Sequence, residues 1–181
     1  MQYIIHHYFE WMLCLLLLIG RLGDILSTYW ATPTLKLEGN LLARKLGWPF
    51  VWLSILLCLI PFYSTSLAIV ALVPSLLVSA SNIGKIWLVR SVGETQFAEL
   101  LTSVARKQRL MPALFWVFLS SSFIILAGVV LIGLCPDPER DWGFWYGVGI
   151  VVYGVAIMLH GSLYFWRLFK RATASDTGQA S

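Results

Sequence analysis

The sequence predicts an all-α, polytopic transmembrane bundle of five spans. Its N-terminus lies outside, its C-terminus is cytoplasmic, and one amphipathic helix lies on the membrane surface. Three observations carry that expectation. Of 181 residues, 59% are hydrophobic and 12% charged, with a mean hydropathy of +0.78, whereas soluble domains average about 45–50% apolar and about 25% charged. The apolar residues gather into stretches long enough to cross a bilayer, and lysine and arginine gather in alternate connections between them. Five spans of roughly 20 residues occupy about 100 positions, which leaves no room for a soluble catalytic, nucleotide-binding or nucleic-acid-binding domain.

The first span covers 11–31. Its leader carries His6, His7 and Glu10 where a secretory signal needs Lys or Arg, and no A-x-A site follows, so it reads as a membrane helix and not a cleaved signal. From Pro49 to Val92 the chain offers 44 residues, too many for one span and enough for two. A turn in the segment from Pro61 to Ser66 gives spans 49–63 and 67–92 and leaves Pro74 inside the third span, where neighbouring groups can satisfy the freed carbonyl. A turn at Pro74 is the competing parse. The fourth span, 112–134, is closed by the acidic segment from Cys135 to Asp141, and the fifth is 142–168. Between spans three and four, Phe97, Leu100, Leu101 and Val104 recur at helical spacing ahead of Arg106, Lys107 and Arg109, the pattern of an interfacial amphipathic helix over 94–110. The small polar tail 172–181 reads as disordered.

Orientation follows from the cations. With the N-terminus outside, Lys36, Arg44, Lys45, Arg90, Arg106, Lys107, Arg109, Arg167, Lys170 and Arg171 all fall on the cytoplasmic side and only Arg140 falls outside, as the positive-inside rule asks of a bacterial inner-membrane protein. Trp11, Trp48, Trp52, Trp142, Trp145 and Trp166 sit near span boundaries, where an aromatic belt belongs. The net charge of +4 therefore marks orientation, not nucleic-acid binding. Cys14, Cys58 and Cys135 form no C-x-x-C and read as ordinary apolar packing.

Two cations, Arg21 and Lys85, fall within spans together with Asp24. A charge at the centre of a span costs about 2.5–3.5 kcal/mol on insertion scales, so these groups need partners. Arg21, Asp24 and Thr28 share one helical stripe. Ser75, Ser79, Asn82 and Lys85 or Ile86 share another, and Tyr153, His160, Tyr164 and Arg167 a third. Counting back from the span ends puts Asp24, Lys85 and His160 at a common depth of about 10 Å from the cytoplasmic boundary. The expectation is an ion pair between Asp24 and Lys85, with Asn82 or His160 near Arg21. Gly147, Gly154 and Gly161, at steps of seven, would let a neighbouring helix approach the fifth span closely.

After the first span, Asn40 reads as an N-cap and Gly47 as a C′ residue for one or two helical turns, with Glu38 beside them. Gly23-Asp24, Ser27-Thr28 and Glu38-Gly39-Asn40 resemble the D…T…E-x-N-P signature of a family of small uncharacterised bacterial polytopic membrane proteins. This chain has Leu41 where that family has proline, and the match covers about 20 residues of the 181. The resemblance implies that Asp24, Thr28, Glu38 and Asn40 work as one unit, and it carries no activity with it.

The sequence-level site is thus a cytoplasm-facing intramembrane polar pocket of Arg21, Asp24, Thr28, Glu38, Asn40, Asn82, Lys85 and His160. Its expected use is non-enzymatic: a binding or accessory subunit in the lipid bilayer for an anionic lipid head group, an ion or a partner helix, that partner being another membrane protein or a second copy. An intramembrane acid/base enzyme acting on a lipid or peptide is one alternative, with Asp24 or Glu38 as general base and His160 as acid or base. An oligomeric proton or solute pathway along Asp24, Asn82, Lys85 and His160 is another. No H-x-x-H or H-E-x-x-H spacing points to a metal, and no motif names a cofactor.

Overall fold

A computed structural model of the chain describes residues 2–35, 37–38, 40–107 and 109–177. Among the described residues there are seven α-helices and one 3-10 segment, and no strand: α1 (Gln2–Ala31), α2 (Leu41–Leu46), α3 (Trp48–Leu53), η1 (Ser54–Phe62), α4 (Thr65–Val92), α5 (Glu94–Lys107), α6 (Leu110–Leu134) and α7 (Trp142–Thr177). Three of them, α4, α6 and the part of α7 from Trp142 to Lys170, are long and apolar enough to cross a membrane.

Local chemistry places the breaks. Asn40 caps α2, its Oδ1 accepting from Leu42 N at 3.0 Å, and Gly47 ends it at φ +74°. That left-handed conformation is one a residue with a Cβ rarely adopts. Pro49 then sits in the first turn of α3, where its missing N–H costs nothing. The chain reverses at Tyr63 and Ser64, and Ser64 Oγ caps α4 by accepting from Leu67 N at 3.3 Å. The turn therefore follows Pro61, and Pro74 lies inside α4. Gly93, at φ +92°, separates α4 from α5. At the other end of the chain α7 runs on through Thr177. Residues 172–177, expected as tail, extend that helix, and 178–181 lie outside the described residues.

The segment made by α3 and η1 has only 15 residues, yet it runs along most of α1. Trp11 meets Phe62 edge to face at one end, with ring centroids 5.0 Å apart, and Tyr29 meets Trp48 at the other, 5.5 Å apart. The 18 steps from Trp11 to Tyr29 rise about 27 Å in an α-helix. The 14 steps from Trp48 to Phe62 cover the same length at about 1.9 Å each, close to the 3-10 rise of about 2.0 Å. Tighter winding stretches a short apolar segment to the length of its neighbour.

Packing fixes direction. Gly20 lies against Ser75, Gly23 against Ser79 and Thr28 against Asn82, so α1 and α4 run parallel. Gly149 lies against Val73, and Tyr153 reaches the Leu77 carbonyl, so α7 is parallel to both. The antiparallel α6 seats its backbone on the expected glycine stripe of α7: Gly147 meets Gly128 and Ile132, Gly154 meets Ile125, and Gly161 meets Val117. A small core of Leu13, Leu17, Cys58, Ala68, Ile69 and Leu72 joins α1, η1 and α4. Cys14, Cys58 and Cys135 are free. Large apolar side chains such as Phe115, Trp116, Phe123 and Leu134 of α6 point outward instead, the reverse of soluble packing. In α5 the apolar residues divide, Ala105 being buried and Leu100 and Val104 exposed.

Candidate functional site

The bundle has a Trp11 end, where α1, α4 and α7 begin, and a Tyr29 end, where α1 stops. Polar side chains concentrate between α1 and α4, from mid-helix to the Tyr29 end. Arg21 Nη1 lies 3.2 Å from Asp24 Oδ2, one turn further along the same helix, with the two side chains only 17% and 18% exposed. Arg21 Nη1 also lies 3.4 Å from Ser75 Oγ as a donor, while Arg21 Nε is buried with no acceptor. Ser79 Oγ donates to the Gly20 carbonyl at 3.1 Å, and Asn82 Nδ2 to Thr28 Oγ1 at 3.2 Å. Glycine at 20 and 23 makes this possible, since a Cβ at Gly23 would stand 3.0 Å from Ser79 Oγ. The seam has one cation, one anion and a ladder of small hydroxyls.

The connection after α1 closes over the seam. Glu38 Oε1 accepts from Asn40 N at 2.7 Å, and Glu38 is near enough to Asp24 for the two carboxylates to repel. Glu38 and Asn40 thus lie together in the connection at the Tyr29 end, while Asp24 and Thr28 take Arg21 and Asn82 as their partners in the seam; Gly39 is outside the described residues. Thr32 organises the turn. Its Oγ1 donates to a Glu94 carboxylate oxygen and accepts from Leu37 N at 3.1 Å, while Thr34 N donates to Glu94 Oε2 at 3.3 Å. Trp48 Nε1 closes the loop onto the Pro33 carbonyl at 2.9 Å. Glu94 and Thr32 were not among the sequence candidates. The available signal was an acid in the first turn of an amphipathic helix, which helix-dipole complementarity alone would explain.

Two sequence expectations need correction. Asp24 pairs with Arg21 and makes no ion pair with Lys85, and Lys85 is exposed with neither a hydrogen bond nor an ion pair to any described residue. His160 is also exposed and is not near-neighbour to the pair through any hydrogen bond. The cause is register. Asp24 is level with Ser79, whereas the α4–α7 register puts His160 level with Gly84, about 8 Å nearer the Tyr29 end. Because α4 and α7 outrun α1, equal counts back from the helix ends reach different depths. Asn82 joins the seam through Thr28, not through Arg21. Among the described residues no group of three or more His, Cys, Asp and Glu is arranged to hold a metal ion.

No protein-family model, curated protein or solved structure matches the chain, so the functional reading stands on its own residues.

Proposed function

We propose that the chain is a five-span integral protein of the bacterial inner membrane, N-terminus outside, acting without catalysis as a binding or accessory subunit. It takes an anionic phospholipid head group from the cytoplasmic leaflet at the mouth of the α1–α4 seam. The span count is supported by the aromatic contacts that set the Trp48–Phe62 segment alongside the Trp11–Tyr29 part of α1, a length of about 27 Å against a hydrocarbon core of about 30 Å. The orientation is supported by the concentration of cations at the Tyr29 end.

The observation that carries the binding reading is the charge balance. Arg21 is neutralised within its own helix, whereas Lys85, about two and a half turns nearer the Tyr29 end, is exposed and has no partner among the described residues. An unpaired ammonium at that depth snorkels to the nearest phosphates. Arg90 is exposed on the next turns of the same helix and adds a second positive charge at the head-group level. Asp24 and Glu38 hold Arg21 and the loop in place and keep the seam itself from competing for the anion. Purified protein in a neutral maltoside, examined by native mass spectrometry, should retain phosphatidylglycerol over phosphatidylcholine, and Lys85→Gln should reduce that retention about tenfold. Equal retention of the two lipids, or an unchanged Lys85→Gln variant, rejects the reading.

A further inference from the structure

At the Trp11 end, remote from the seam, α1, α4, the 135–141 loop and the start of α7 line an open cavity of about 490 Å³, within the size range of small-molecule sites. Phe9, Trp142 and Trp145 form its aromatic walls, and buried Ile69 lies beneath them. The walls are fixed. Phe9 and Trp142 meet edge to face with centroids 4.2 Å apart, and Trp145 Nε1 donates to the Pro138 carbonyl at 2.8 Å. The loop holds its own shape, Asp137 Oδ1 accepting from the amides of Glu139 at 2.9 Å and Arg140 at 3.2 Å. Asp137 also keeps Arg140 at the rim through an ion pair of 3.8 Å.

That leaves two carboxylates lining the cavity, Glu139 and Asp141, whose side chains make no hydrogen bond or ion pair with a described residue. Thr65 and Ser66 add hydroxyls to its lining. Aromatic faces together with free carboxylates recognise an organic cation, the rings through their quadrupoles and the acids by charge. The Arg140 guanidinium at the rim suits an anionic group a few bonds from that cation.

We infer that this cavity binds an alkylammonium group, its source being the head group of an aminophospholipid such as phosphatidylethanolamine. The ammonium sits against Trp142, Glu139 and Asp141 while the phosphate meets Arg140 at the rim. The site is independent of the Lys85 site and of the orientation of the chain.

The test is native mass spectrometry of full-length protein in maltoside, titrated separately with phosphatidylethanolamine and phosphatidylglycerol. The Glu139→Gln/Asp141→Asn variant, altered only in side chains without protein partners, should lose phosphatidylethanolamine affinity about tenfold or more and keep its phosphatidylglycerol binding. Lys85→Gln should do the opposite, so the two sites fail separately. Displacement of the lipid by free ethanolamine assigns recognition to the ammonium alone and admits soluble amines; lipid binding that resists ethanolamine assigns it to the whole head group. If neither phosphatidylethanolamine nor ethanolamine binds, or if the double variant binds the lipid as the native chain does, the inference is overturned.

Discussion

The ion pair inside α1 can be tested by a double-mutant cycle whose outcome the geometry fixes. Arg21 and Asp24 lie 3.2 Å apart and are largely buried, so Asp24→Asn strands a guanidinium within the apolar stretch and Arg21→Met strands a carboxylate. Each stranded charge costs about 2.5–3.5 kcal/mol on insertion scales. Removing both leaves no charge to compensate and forfeits only the long contact to Ser75, worth about 0.6 kcal/mol for an interhelical hydrogen bond in a membrane protein. Two single losses of that size against a nearly neutral double variant correspond to a coupling of about 5–7 kcal/mol. Reversible unfolding in mixed maltoside and dodecyl sulfate micelles, followed by circular dichroism, supplies the four stabilities. The decisive arm is Asp24→Asn combined with Lys85→Met. Lys85 is exposed and unpaired among the described residues, so this combination should be additive within about 0.5 kcal/mol. Coupling below that limit for Arg21 and Asp24, or rescue by Lys85→Met equal to that by Arg21→Met, would refute the assignment of partners.

Four further outcomes follow from other parts of the fold. Gly128→Ala should destabilise by about 1–3 kcal/mol, because its Cβ would stand 2.7 Å from the Gly147 carbonyl oxygen. Gly84→Ala, with nothing within 4 Å, should stabilise by up to about 1 kcal/mol; thermal unfolding in detergent measures both. Glu94→Ala removes the acceptor that holds Thr32 and Thr34 N, so hydrogen exchange at Thr34 and Leu37 should accelerate about tenfold or more while α4 and α7 keep their protection. Five spans with the N-terminus outside require that an impermeant maleimide label Glu139→Cys in intact cells and label Glu99→Cys only after permeabilisation, in a chain where Ser replaces Cys135. The reverse pattern rejects the orientation.

What the sequence could and could not reveal divides along a physical line. Features decided within a few residues were legible: Asn40 as a cap, the turn after Pro61, and Gly147, Gly154 and Gly161 as the seat of α6. Each follows from backbone sterics or from a repeat matched to the helix period. Charge partners were not legible, because choosing between Arg21 and Lys85 for Asp24 needs the axial register of α1 against α4, and register is set by Gly20 on Ser75 and Gly23 on Ser79, contacts between residues more than fifty positions apart. The 3-10 winding of η1 was hidden for a related reason: nothing in its apolar composition demands tight winding, which emerges only when 15 residues must keep pace with α1. The corrected pairing changes what the site residues imply. If Asp24 and Lys85 neutralised each other, the cation left over would be Arg21, largely buried between α1 and α4 and closed to a head group. Because Arg21 satisfies Asp24 from the same helix, at a spacing any isolated helix can use, the excess charge is displaced to Lys85, near the head-group level and open to the surroundings. Packing does not explain that lysine, and so it carries the binding proposal, while the Arg21–Asp24 pair is assigned to holding α1 against α4.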